Sequence, residues 1–99
     1  MTMTKDDLYI RLLNDVPNAS ATLGDRSHIY VGPVKITITD PINPFDRYSD
    51  TIAELKAEYI SKTHVSLLHV LINDKSNIPN LVKHINKIVE GAIKDVQSI

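Results

Sequence analysis

Apolar residues at positions 78, 81, 85, 88, 92, 96 and 99 recur at intervals of three and four without a break. At about 100° per residue that spacing draws one continuous stripe along a helix, and no strand can gather it on one face. Val82, Val89 and Ile93 widen the stripe. Ser76 or Asn77 can cap its start, and Pro79 falls in the first turn, where a missing N–H costs nothing. Gly91 is tolerated at roughly 1 kcal/mol relative to alanine. A helix from Ile78 to about Val96 therefore needs a broad apolar surface beneath it. Either a sheet covers the whole stripe, or part of it covers a partner.

The segment His28 to Thr39 supplies such a sheet. If Gly32-Pro33 is a two-residue hairpin loop, Val31 faces Val34 and Ile29 faces Ile36 on one side of the ladder. Tyr30 then faces Lys35, and His28 faces Thr37, on the other side. Apolar pairs fall together and polar pairs fall together, as a half-buried hairpin requires. Glycine at the first loop position suits a type II′ turn. A single long strand with a bulge at Gly32 is the alternative.

Upstream, Lys5 to Asp15 reads as a helix. Thr4 is its N-cap, Asp6 and Asp7 lie in the first turn, and Leu8, Leu12 and Val16 form an i, i+4 stripe with Tyr9 and Leu13 beside it. Pro17 ends it, and residues 18–27 read as a loop turning at Gly24-Asp25. After the hairpin, Pro41 and Pro44 forbid regular pairing between Asp40 and Asp46, and such a stiff loop can present Phe45 in a defined place. Asp50 to Lys62 is expected to be a second helix, with Thr51-x-x-Glu54 as a capping box, an apolar face of Ile52, Leu55, Tyr59 and Ile60, and an i, i+4 pair of Glu58 with Lys62. The nearly continuous apolar run from Thr63 to Asn73 fits a buried strand by its length and β-branched residues, although it also fits an extension of the preceding helix. The expected fold is thus α+β: a small antiparallel sheet of about three strands, one hairpin among them, with three helices in the order α-β-β-α-β-α.

Ninety-nine residues suffice for one globular domain spanning 1–99 with a modest core. With four tyrosines, one phenylalanine and no tryptophan, that core must be built from Ile, Leu and Val. A formal net charge of −1 gives no general attraction to nucleic acid or to an anionic membrane. The chain has no cysteine, which excludes disulfides, cysteine-ligated zinc, iron–sulfur clusters and cysteine nucleophiles. The N-terminal residues lack the apolar stretch of a signal peptide, and no apolar run reaches the ~18 residues that span a bilayer. A cytoplasmic location is the expectation, in a host cell or in a virion.

Reactive groups do not converge in the sequence. His64 and His69 fall on opposite faces of a strand and about 140° apart on a helix, so neither arrangement makes a metal pair. No metal, phosphate-cradling or nucleophile-elbow motif occurs. Asp40, Asp46 and Asp50 could gather around a cation, but turn chemistry explains aspartate beside proline equally well. The expectation is a protein without catalytic residues, metal or cofactor. Candidate binding residues are Tyr30 and Lys35 on the polar side of the hairpin, Phe45 in the proline loop, and Lys83, Lys87 and Lys94 on the outer face of the last helix. The lysines are diluted by Glu90 and Asp95, and a solvated helix face accounts for them as well as a binding face does.

Two stretches carry a resemblance. Asp7-Leu-Tyr-Ile-Arg-Leu-Leu13, the turn Gly24-Asp25-Arg26-Ser27-His28-Ile29-Tyr30 and the strand Val34-Lys-Ile-Thr-Ile38 resemble the opening of tailed-phage tail-terminator and tail-completion proteins. His64-Val-Ser-Leu-Leu-His-Val-Leu-Ile-Asn-Asp74 and the helix from Ile78 are similar to that family's late strand and helix. The likeness covers about two-thirds of the chain in pattern. The expected middle helix and the lack of a strand after Val96 depart from the family. The resemblance implies a ring-forming virion assembly protein at the head–tail junction or tail end, and it assigns no functional residue. The expected function is accordingly a non-enzymatic assembly or interaction protein with a protein partner, either itself or another chain. The alternative is a small inhibitor of phage or mobile-element type that binds a host protein or, less favoured, nucleic acid. No membrane partner is expected.

Overall fold

The structure, a computed structural model, describes residues 4–40, 51–61, 66–73 and 76–97. Within them the chain runs α1 (Lys5–Asp15), β1 (His28–Val31), β2 (Val34–Thr39), β3 (Thr51–Tyr59), β4 (Ser66–Asn73) and α2 (Ile78–Gln97). The fold is α+β, with one antiparallel sheet in the order β1-β2-β3-β4. The first helix begins as its sequence dictates. Thr4 Oγ1 accepts from the Asp7 N–H, and the Asp7 carboxylate accepts from the Thr4 N–H, each at 3.1 Å. Two of the N–H groups a helix start leaves unpaired are thereby satisfied. The last helix is capped by Asn77, whose side-chain oxygen accepts from the Asn80 N–H at 3.1 Å.

The hairpin holds the expected register: His28 pairs with Thr37, Ile29 with Ile36, Tyr30 with Lys35 and Val31 with Val34. Gly32 has φ +58°. Pro33 cannot follow with a positive φ, so a two-residue loop that starts this way is of type II′, whose twist matches that of the strands.

The segment expected to be a middle helix is instead strand β3, at the centre of the sheet. It pairs with β2 through Val34–Tyr59, Ile36–Ala57 and Ile38–Leu55, and with β4 through Leu55–Val70 and Ala57–Leu68. Among the described residues, the expected three helices and about three strands are therefore two helices and four strands, in the order α-β-β-β-β-α. The physical reason lies in two periods that coexist in one segment. Ile52, Leu55 and Tyr59 are spaced for a helix, and Ala, Glu, Leu and Lys favour one locally. Ala53, Leu55 and Ala57 also alternate with Glu54, Lys56 and Glu58, which is a strand's pattern. Two neighbouring apolar strands, each needing a partner, decide between them. Tertiary pairing overrides local propensity here, and Lys62 of the expected Glu58–Lys62 helical pair lies outside the described residues. Glu58 meets Lys35 of β2 at 3.7 Å.

The sheet has one apolar face. Ile29, Val31, Val34, Ile36, Ile38, Ala53, Leu55, Ala57 and Ile72 are all buried and join Leu8, Leu12 and Val16 of α1 and Ile78, Ile85, Val89 and Ala92 of α2 in one core. Both helices therefore cover the same side, giving two layers. Removing each large aliphatic side chain from water contributes about 1.5–3 kcal/mol. The other face of the sheet is mostly polar, and neither described helix covers it. Residues 41–50, which include Phe45, Asp46 and Asp50, lie outside the described residues, as does His64.

Candidate docking surface

The register sets three rows of side chains across the open face. Tyr30, Lys35, Glu58 and Ser66 form one row, His28, Thr37, Lys56 and His69 the next, and Thr39, Glu54 and Leu71 the third. Charges of opposite sign are neighbours along β3, where Glu54, Lys56 and Glu58 alternate. A shallow depression of about 360 Å³ lies over the middle of this face, with Lys35, Thr37, Glu54 and Lys56 in its lining. Its carboxylates and ammonium groups offset one another, so it presents no uniform field to an ion.

Both histidines in the middle row are held by carboxylates. His28 Nδ1 is 2.9 Å from Asp25 Oδ2, and the second oxygen of Asp25 accepts from the Ser27 N–H at 2.7 Å. These hydrogen bonds, the Ser27 amide first and the His28 ring next, hold the Asp25 carboxyl below its ordinary range. At the other end of the row His69 Nε2 is hydrogen-bonded to Glu54 Oε1. Glu54 is the buried charged residue of the sheet, only 3% exposed. A buried carboxylate needs such a partner, because an unpaired one is costly to desolvate. Two strands, β2 and β3, separate the two histidines, and among the described residues no group of three His, Asp or Glu is placed to hold a metal ion.

The residues singled out in the sequence do not form one surface. Tyr30 and Lys35 lie opposite each other on the open face of the hairpin, where Lys35 is tied to Glu58. Lys83, Lys87 and Lys94 are exposed on the solvent side of α2, in the other layer. The two sets therefore point away from each other, and Phe45 falls outside the described residues.

The edges of the sheet differ. At β1, Ser20 bridges Tyr30 with paired backbone bonds of 2.9 and 2.8 Å, so the outer side of that four-residue strand is already covered. At β4, no described residue pairs with the outer edge. That strand, Ser-Leu-Leu-His-Val-Leu-Ile-Asn, carries no Lys, Arg, Asp, Glu or Pro, the residues with which edge strands are commonly blunted. Leu71 is 61% exposed on it, and Leu67, Leu68 and Val70 are only partly buried. The apolar run was readable in the sequence. Its neighbour in the sheet was not, because that depends on β3 being a strand. A second apolar surface lies between α1 and the loop at 21–26, where Ile10 is 45% exposed and Leu23 fully exposed.

By architecture the molecule is a small two-layer α+β protein in which, among the described residues, the β4 edge of the sheet is uncovered. No family model, no curated protein and no solved structure matches the chain. No helix among the described residues is long and apolar enough to cross a membrane.

Proposed function

We propose that this protein is a non-enzymatic assembly module that docks on a protein partner, itself or another chain, by adding a strand at the β4 edge. The observation that carries the reading is the contrast between the two edges. The β1 edge is capped by Ser20, whereas no described residue pairs with the outer edge of β4, where Leu71 is exposed. Strand addition draws its affinity from backbone hydrogen bonds and its selectivity from alternate side chains. Glu54, Lys56 and Glu58 stand on the neighbouring strand and are already balanced, so the edge offers shape and backbone complementarity in place of charge. A ring component of a tailed-phage particle, which the sequence resemblance implies, is one instance of this reading. The lysine face of α2 supports inhibition of a host factor less well, since Glu90 and Asp95 share the exposed part of that helix.

The test compares the tagged wild-type chain with Leu71→Lys, both recovered from the native source. Lysine at an exposed edge position leaves the core untouched and opposes strand addition. The wild type is expected to co-purify with a defined chain, a second copy or another protein, and Leu71→Lys is expected to lose it. Equal recovery by the two proteins would overturn the reading.

A further inference from the structure

Resting on that reading, we infer that the strand added at β4 is β4 of a second copy, so that the protein closes into a two-fold dimer with a continuous eight-stranded sheet. Three observations converge on this occupant. First, one of the two sheet edges is already taken by Ser20. Head-to-tail growth by strand pairing joins two different edges and produces rings or filaments, whereas pairing a single edge with itself closes at two copies.

Second, the ladder between β3 and β4 is regular only between two irregularities. One lies at Ile52, between the pairs Thr51–Asn73 and Ala53–Ile72, and the other at Leu67, between Ala57–Leu68 and Glu58–Ser66. The regular stretch of β4 is therefore Leu68–Ile72, and its midpoint is Val70. A two-fold axis through Val70 gives antiparallel pairing in which Val70 meets its own copy. Leu68 then meets Ile72 of the second copy on the helix side, and His69 meets Leu71 on the open side. Residues opposite one another in an antiparallel pair share a face, so this register keeps apolar with apolar across the helix-covered layer. It also sets each exposed Leu71 over an imidazole and keeps the two histidines from facing each other directly.

Third, β4 brings no formal charge to the junction, so two copies approach without repulsion along the strand. The flank of α2 continues the same surface. Ile93 turns toward the hairpin, where its side chain lies 3.8 Å from the position of a Cβ built on Gly32. At about 100° per residue, Leu81 and Ile88 lie 120–140° around the helix from it, on the flank turned away from the hairpin. Both are only partly buried. A stable interface needs about 800 Å² per partner, which one short strand does not supply alone. This helix flank beside it adds to that area.

The experiment uses purified protein. Sedimentation over a wide concentration range is expected to give a species of twice the 11.1 kDa chain mass, reduced to the single-chain mass by Leu71→Lys. Because the chain has no cysteine, single-cysteine variants report the axis cleanly. Paired Cα atoms across an antiparallel ladder are about 4.5–5.5 Å apart, within disulfide reach. Under mild oxidation Val70→Cys is expected to form a covalent dimer and the exposed control Ile10→Cys to remain a single chain. A ring of three or more copies, or a wild type that stays monomeric at high concentration, would overturn the two-fold dimer while leaving docking at β4 open to its own test. A dimer that is indifferent to Leu71→Lys and that Val70→Cys does not cross-link overturns both.

Discussion

Tyr9 of α1 is joined to His28 at the start of β1: its hydroxyl lies 3.0 Å from the His28 carbonyl oxygen and 2.9 Å from that of Asp25. The ring is 3% exposed. One phenol thus fixes the first helix to the loop that launches the sheet. Tyr9→Phe keeps the packing and removes the single O–H donor that the two carbonyls share. We expect it to destabilise the fold by about 1–2 kcal/mol, read from urea unfolding. Burial first, and the nearby Asp25 carboxylate next, raise the Tyr9 phenol above its ordinary value of 10.0. A raised folded value means that the unfolded chain ionises first. The stability Tyr9 contributes is therefore intact below pH 10 and is lost as pH climbs through the higher folded value. The alkaline decline in stability should be shallower in Tyr9→Phe than in the wild type.

Asp25 gives the opposite dependence. Its carboxyl is held below the ordinary value of 3.8 by the Ser27 amide and then by the His28 ring. Its contribution is complete above that ordinary value and disappears as pH falls through the lower folded one. Asp25→Asn should therefore narrow its stability gap to the wild type on acidification below about pH 4. A carboxyl titration by NMR should place Asp25 below the ordinary value of 3.8. A gap that is constant with pH would show that the turn at 25–28 does not depend on the charge.

Much of this fold is legible in the chain. The Thr4 cap, the apolar stripe of α2 and the pairing of Tyr30 with Lys35 follow from spacing alone, because each is set by neighbours within a few residues or across a two-residue turn. The middle of the protein is not legible in that way. Leu55 is compatible with a helix face and with a strand face, and the choice is made by Ile38 on one side and Val70 on the other, both far away in sequence. Once β3 is a strand, Glu54 becomes a buried carboxylate beside His69 and β4 pairs with β3 instead of the hairpin. The neighbours of the docking surface were therefore hidden behind one unresolved choice of period.

Two glycines give a contrast of sign. Gly32 sits at φ +58°, and an added Cβ would meet only Ile93 side-chain atoms at 3.8 Å, an ordinary contact. The cost of Gly32→Ala is then conformational, about 1–2 kcal/mol, with no steric part to relieve. Gly91 lies within α2, and nothing stands within 4 Å of an added Cβ. Gly91→Ala should stabilise the protein by up to about 1 kcal/mol. Thermal unfolding of the two single variants checks both signs. A destabilising Gly91→Ala would mean that this part of α2 is held by something other than regular helix packing.

Glu54 and His69 make the sharpest test of the open face. Glu54 is buried in the middle of the sheet, whereas the side chain of His69 is 50% exposed on the edge strand. The same hydrogen bond therefore matters unequally to its two partners. His69→Ala strips a buried carboxylate of its imidazole and is expected to cost about 1–3 kcal/mol. Lys56→Ala removes an exposed neighbour in the same row as His69 and should cost under 0.5 kcal/mol, about the range of ordinary surface substitutions. If the penalty of His69→Ala comes from the orphaned carboxylate, replacing both residues must recover part of it. The double variant Glu54→Met/His69→Ala should be more stable than His69→Ala alone, since removing both members of a buried pair is often nearly neutral. Urea unfolding of the two single variants, Glu54→Met and His69→Ala, and of the double variant reads the result. Losses that simply add would show that the two side chains contribute independently and that Glu54 draws its stabilisation from elsewhere in the fold.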